Sequence, residues 1–355
     1  MSTGLTSLVT TWICLHPDDL DPGLTAMVIT YSLQVTGYLQ WLINTFTQLE
    51  IEMNSIERVK HYSEIDTEAG YTAESEAELI TAPSDWPRNG KIEFDRVSAR
   101  YRPELPLVLE NVTFTVNANE KVGVVGRTGS GKSTLMNLLF RIIELDSGSI
   151  RIDGVDIAKL GLKQLRSAIS MLPQDPTLFT GTIRENIDPF EQYTDSQLWD
   201  ALEKAQMKEA LSKLPEKLST PVGEGGDSFS VGERQLLCLA RSILAEAKLL
   251  IMDECTASVD VQTDAKIQEM VRIAFKNCTV FAIAHRLDTI IDYDKIVVLD
   301  KGQLKEHGSG AELIDMDGGI FASLVNETGP SQAPRLRASA REKAARDKED
   351  AEAGR

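Results

Sequence analysis

Lysine and arginine are missing from the start of this chain, neither occurring before Arg58. The residues given therefore lack the basic opening expected of a signal or transit peptide. Cysteine is scarce as well: Cys14, Cys238, Cys255 and Cys278 lie far apart, with no CxxC or Cys/His cluster. That spacing excludes a disulfide scaffold or zinc centre and fits a reducing compartment. Basic charge is in deficit overall, with 37 Lys and Arg against 54 Asp and Glu and a formal net charge of −17. Nucleic-acid binders need a local cationic excess to displace counterions, so no nucleic-acid partner is expected. Phosphate binding stays open, because a single helix N-terminus can supply it locally.

What is present suffices for folding. At 355 residues, 42% of them hydrophobic, the chain can bury the core of one large domain or two ordinary ones. Pro22 to Leu49 carries no charge and is long enough to cross a bilayer as a helix. Its polar residues Thr30, Gln34, Gly37, Gln40, Asn44 and Gln48 recur every three or four positions, along one helical stripe. In a membrane that stripe faces other helices or an aqueous path; on a soluble domain it makes an amphipathic packing helix. Asp18, Asp19 and Asp21 before it, with Arg58 and Lys60 after it, favour the membrane reading with a cytoplasmic continuation.

An acidic, Glu/Ala/Thr-rich stretch from Glu64 to about Ser84 reads as a connector. Strand-like runs follow at Lys91–Val97, Val112–Val116 and Lys121–Val125, and beyond them apolar strands alternate with helical stretches. That alternation predicts an α/β fold with a parallel sheet. The stretch from Pro330 to Arg355 alternates basic and acidic residues with alanine and reads as a solvated helix or a flexible tail.

Two motifs carry chemistry. Gly126-Arg127-Thr128-Gly129-Ser130-Gly131-Lys132-Ser133 fully matches a P-loop, after the apolar run Val122–Val125 and before a helical run opening at Thr134. Glycines let the backbone wrap phosphate with N–H groups pointing inward at a helix's positive end. Lys132 supplies a cation for the β- and γ-phosphates of ATP, and the Ser133 hydroxyl can ligate Mg²⁺. Downstream, Leu249-Leu250-Ile251-Met252-Asp253-Glu254 is an apolar strand ending in two carboxylates. Asp253 is placed to hold magnesium through water, and Glu254 to polarise the attacking water as a general base.

Ser230-Val231-Gly232-Glu233-Arg234-Gln235, shortly before that strand, resembles the signature motif of ATP-binding cassette proteins. The order Tyr101, P-loop, Gln174, signature, Asp253-Glu254, Ser258-Val259-Asp260 and His285 is that of the family. The wording of Pro173–Phe179, Asn186–Phe190 and Gln235–Arg241 is similar to the second cassette of subfamily C, the multidrug-resistance-associated exporters. The resemblance covers roughly Trp86–Val325, and the N-terminal segment resembles the end of such an exporter's last membrane helix.

The resemblance implies a P-loop NTPase fold of the ABC type: a RecA-like core, an antiparallel β subdomain and a helical signature subdomain, with an N-terminal helical, transmembrane segment. It divides the chain into a partial transmembrane domain (1–63, with a membrane helix at about 22–49), an acidic linker (64–86), a nucleotide-binding domain (87–327) and a charged flexible tail (328–355). It implies that Tyr101 stacks on adenine, that Gln174 reaches magnesium and the attacking water, and that His285 bonds the γ-phosphate. The loop from Gly126 to Thr134 would hold the phosphates; Ser230, Gly232, Glu233 and Asp260 would also be nucleotide-binding, with Ser230 and Gly232 completing the site on a partner cassette.

ATP and Mg²⁺ are the implied cofactors, and ATP hydrolysis powering export is the implied function. The partners are a second nucleotide-binding domain and transmembrane domains at a membrane, with the cassette cytoplasmic. The exported small molecule or conjugate would bind elsewhere. A single cassette with at most one span would be part of a larger transporter or need a partner. The alternative is a non-transporting cassette acting as an ATP-dependent dimerisation switch. One departure stands out: Glu233 replaces the family's usual Gln, bringing a carboxylate toward a phosphate-facing surface. Pointed inward, it would weaken the partner site by repulsion.

Overall fold

The apolar runs that open at Lys121 become the parallel strands of a six-stranded sheet. The computed structural model describes every residue except 1, 16–20, 66, 69–78, 84, 256–258, 260, 285 and 354–355. The strands are β1 (Ile92–Ala99), β2 (Leu109–Val116), β3 (Lys121–Val125), β4 (Ser147–Ile152), β5 (Val155–Asp156), β6 (Ile169–Leu172), β7 (Gly181–Thr182), β8 (Pro221–Val222), β9 (Leu249–Asp253), β10 (Thr279–Ile283), β11 (Lys295–Asp300) and β12 (Gln303–Gly308). The helices are α1 (Ser2–Leu15), α2 (Pro22–Ser63), α3 (Lys132–Leu139), α4 (Leu162–Ala168), α5 (Ile183–Ile187), α6 (Asp195–Lys204), α7 (Lys208–Ser212), α8 (Val231–Leu244), α9 (Val261–Ala274), α10 (Gly310–Ile314), α11 (Ile320–Glu327) and α12 (Gln332–Ala353).

The main sheet runs β12-β11-β3-β10-β9-β6, parallel except for the edge strand β12. Both faces are covered, so its parallel strands are mostly apolar and alternate residues serve different cores. Leu249, Ile251, Phe281, Ile283, Val297 and Leu299 face a core shared with α3 and the smaller sheet. Leu250, Met252, Val280, Ala282, Ile296 and Val298 face the core shared with α8 and α9. The smaller sheet, β2-β1-β4-β5, is antiparallel and joins the first core through Phe94, stacked on Phe114 at 4.3 Å between ring centroids. The short pair β7-β8 brackets α5, α6 and α7, the helical part that leads into α8. These are the three expected parts of the cassette.

Of residues 328–355, read as a solvated helix or a flexible tail, Gln332–Ala353 form α12, whose Ala333, Leu336 and Ala340 are buried in the second core. Spacing of three and four residues puts these small and apolar side chains on one face among the charges. Arg341 and Lys343 of the same helix pair with Asp315 and Asp294.

Residues 1–68 form a unit of their own. The run at 22–49 is helical as expected, within α2, where Asp21 caps the first turn and Pro22 stands just inside it. No helix among the described residues is long and apolar enough to cross a membrane. The polar stripe explains this. Gln40 bonds Asn44 and Gln48 bonds Glu52, each one turn on, so polar side chains line up along one side of the uncharged stretch and lower its mean hydropathy.

Candidate active site

Parallel strands converge their C-terminal ends, and crevices there are where α/β sheets place ligands. Val124 pairs with Ile283, Ile283 with Asp253, and Met252 with Leu172. The P-loop after β3, the carboxylates ending β9 and the Gln174 loop after β6 therefore open from one end of the sheet.

The P-loop owes its shape to glycine at particular positions. Gly129 has φ +80° with nothing within 4 Å of an added Cβ, so it keeps the loop's mouth open. Gly131 (φ +101°) is the N-cap of α3, where a Cβ would lie 2.5 Å from Leu109. As glycine it gives α3 no side-chain cap, leaving the helix's first N–H groups available to an incoming acceptor. Ser130 lies in the same loop with its Oγ buried and without a partner. Arg127, Thr128, Gly129 and Ser133 are exposed on its rim, and Arg127 pairs with Glu327 at 3.4 Å.

Lys132 is buried, and its Nζ donates to the carbonyl oxygens of Gly126 (2.9 Å) and Arg127 (3.3 Å). Burial lowers its pKa, while the charges of Glu254 and Asp253 act in the opposite direction. The ammonium thus sits in the field of both carboxylates. Glu254 has φ +44°, unusual for a side-chain-bearing residue, and its backbone N–H donates to Ile283 O at 3.0 Å. That turn in the backbone carries Glu254 away from the line of Asp253.

Tyr101 is half exposed, and its hydroxyl shares a hydrogen bond of 3.2 Å with Thr134 Oγ1, which places the ring beside the start of α3. Thr134 itself is buried. Gln174 is exposed in the irregular stretch after β6. The expected residues Asp260 and His285, with Ser258, lie outside the described residues.

At the signature, Ser230 caps α8 in a reciprocal box. Its N–H and Oγ each donate to Glu233 Oε2 at 2.8 Å, and Glu233 N–H donates back to Ser230 Oγ at 3.3 Å. The departure from the family pattern therefore turns back onto its own helix. Ser-x-x-Glu before an apolar helix is a capping-box pattern, so this use of Glu233 was readable from sequence. Gly232 is buried, and a Cβ there would come 2.8 Å from Thr263 of α9.

The site suits a nucleotide triphosphate with magnesium. The orphaned Ser130 hydroxyl, the uncapped N-terminus of α3 and the buried Lys132 match phosphate oxygens. Ser133 and Asp253 offer hard oxygen donors, while no cluster of three or more His, Cys, Asp or Glu among the described residues forms an all-protein cage. A cation that takes most of its ligands from phosphate and water fits that set.

Comparison with known proteins agrees. The family model "ABC transporter" matches residues 109–257. The chain is 47% identical over 312 residues to ATP-binding cassette sub-family C member 3 of Rattus norvegicus, covering 88% of this chain and 20% of that protein. It is 44% identical over 317 residues to sub-family C member 2 of Mus musculus, covering 89% and 20%. It is 43% identical over 334 residues to a pleiotropic ABC efflux transporter of multiple drugs from Candida glabrata, covering 90% and 20%. The chain thus spans about a fifth of the length of these relatives. Among solved structures, a bacterial Atm1-family ABC exporter with ATP bound matches with a TM-score of 0.69 and 31% identity, over 88% of this chain and 54% of that one.

Proposed function

Because this chain belongs to the ABC transporter family, among its subfamily C members, and carries the family's ATPase domain, we propose that it powers export. It does so by binding and hydrolysing MgATP as the second nucleotide-binding domain of a subfamily C exporter. The observation that carries this reading is the P-loop lysine buried within the field of Asp253 and Glu254, at one end of the parallel sheet.

Each residue then has a task. The P-loop amides and Lys132 hold the phosphates, and Tyr101 stacks on the base beside Thr134. Bound Mg²⁺ would neutralise charge on the β- and γ-phosphates; Ser133, Asp253 and Gln174 are the residues that would hold it. Glu254 accepts the proton of the attacking water, its direction fixed by the Ile283 hydrogen bond. His285 is assigned to the γ-phosphate and Asp260 to nucleotide binding by family pattern.

Ser230 and Gly232 serve a second cassette's nucleotide. The partners are that cassette and transmembrane domains, with this domain on the cytoplasmic side of a membrane. The exported molecule, a small molecule or conjugate, binds outside the cassette.

Glu254→Gln tests the assignment. Phosphate release should fall by about 10²–10⁴-fold, the worth of a positioned general base, with ATP affinity retained. Turnover equal to the parent's would sink it.

A further inference from the structure

Gln235 stands in α8 two residues after Glu233, with no exposed surface, and none of the roles above uses it. A buried amide is costly unless bonded. Here Nε2 donates at 2.9 Å to the carbonyl oxygen of Pro173, the peptide unit that leads into Gln174. Oε1 is buried without a hydrogen-bond partner. Leu172, just before that peptide, pairs with Met252 of β9, so the bond lies beside the strand end that carries Asp253 and Glu254.

Farther along α8, Arg241 donates to Thr177 O at 3.1 Å and lies over the Phe179 ring. The helix thus grips the same loop twice. An apolar side chain of similar shape would spare the orphaned Oε1 its desolvation, so stability alone does not explain the amide.

We propose that Gln235 is a positioning residue that holds the Pro173–Gln174 peptide against the strand end bearing Asp253 and Glu254. The helix that opens with the signature is thereby tied to the magnesium side of this chain's own ATP site. This rests on the reading of Gln174 and Asp253 as magnesium-side residues.

The test is the gain in ATP affinity that magnesium gives the full chain, measured with a fluorescent ATP analogue in MgCl₂ and in EDTA. Gln235→Met keeps the volume and loses the donor. Its magnesium gain should fall about tenfold or more, as when an outer partner of a metal ligand is lost, with the EDTA affinity unchanged. Gln174→Ala should show the same fall, and the double variant no further fall. Gln235→Glu gives a second reading should the methionine variant fail to fold. Ionised, it has no proton for Pro173 O, so its deficit should deepen as pH rises.

A merely structural role would lower EDTA affinity and thermal midpoint together and spare the magnesium gain, which overturns the proposal. So does a full gain in both Gln235 variants. A parent chain with no magnesium gain overturns the magnesium reading itself, and the proposal with it.

Discussion

Two helices in this domain begin at polar loops that the family points toward phosphate, and they begin in opposite ways. α3 starts at Gly131, in a left-handed conformation with no side-chain cap, behind the unpartnered Ser130 hydroxyl. α8 starts at Ser230 inside a closed capping box with Glu233. The first leaves donors open at its positive end, a state that gains its stabilisation only when an anion arrives. The second pairs two of its own N–H groups, those of Ser230 and Glu233, and already holds a carboxylate at its positive end. The chain's own site is thus built to be completed by a ligand, whereas its offering to a partner cassette is already stable without one.

On that difference, changes at the α3 end should cost binding and changes at the α8 end should cost stability. Lys132→Ala carries the largest effect. It removes a charge-assisted contact worth about 1.5–3 kcal/mol, so ATP affinity should drop roughly 10- to 150-fold in an equilibrium titration. The thermal midpoint should hold or rise, because burial lowers the lysine's pKa and its charge opposes folding. A lower midpoint with unchanged affinity would break the comparison at once. Ser230→Ala should do the reverse within the free chain, with about 1 kcal/mol of stability lost in denaturant unfolding and the chain's own ATP affinity unchanged.

Legibility from sequence follows the same division. The P-loop and the Asp253-Glu254 strand end were readable because their chemistry is local: an apolar run, then glycines or carboxylates, in consecutive positions. β2 begins at Leu109 rather than Val112 because irregular pairing with β1 carries the ladder out to Ala99. The docking of α12 was hidden by the charges around Ala333, Leu336 and Ala340, although their spacing is helical. At 22–49 a charge count overlooks what a polar stripe does to mean hydropathy. Gln235 lies beyond any local reading: its partner Pro173 is 62 positions away, and the two meet where α8 packs against β6.

Glu233→Gln has the smallest expected effect and the sharpest bearing on the comparison, because it should move two quantities in opposite directions. Glutamine can still accept the Ser230 N–H, so the capping box persists, but the negative charge at the helix's positive end is lost. Loss of that charge should cost about 0.3–1 kcal/mol of stability. Across an ATP-bound pair of cassettes the same loss removes repulsion against the partner's γ-phosphate. A unit charge about 6 Å away in water contributes roughly 0.7 kcal/mol, or about threefold in association. ATP-dependent dimerisation, followed by sedimentation, should therefore tighten while the thermal midpoint falls slightly. Added salt should shrink the gain in association, since exposed charges at this range are screened. A variant that dimerises no more tightly than the parent at low salt would mean that the carboxylate, held on Ser230, never meets the partner's phosphate.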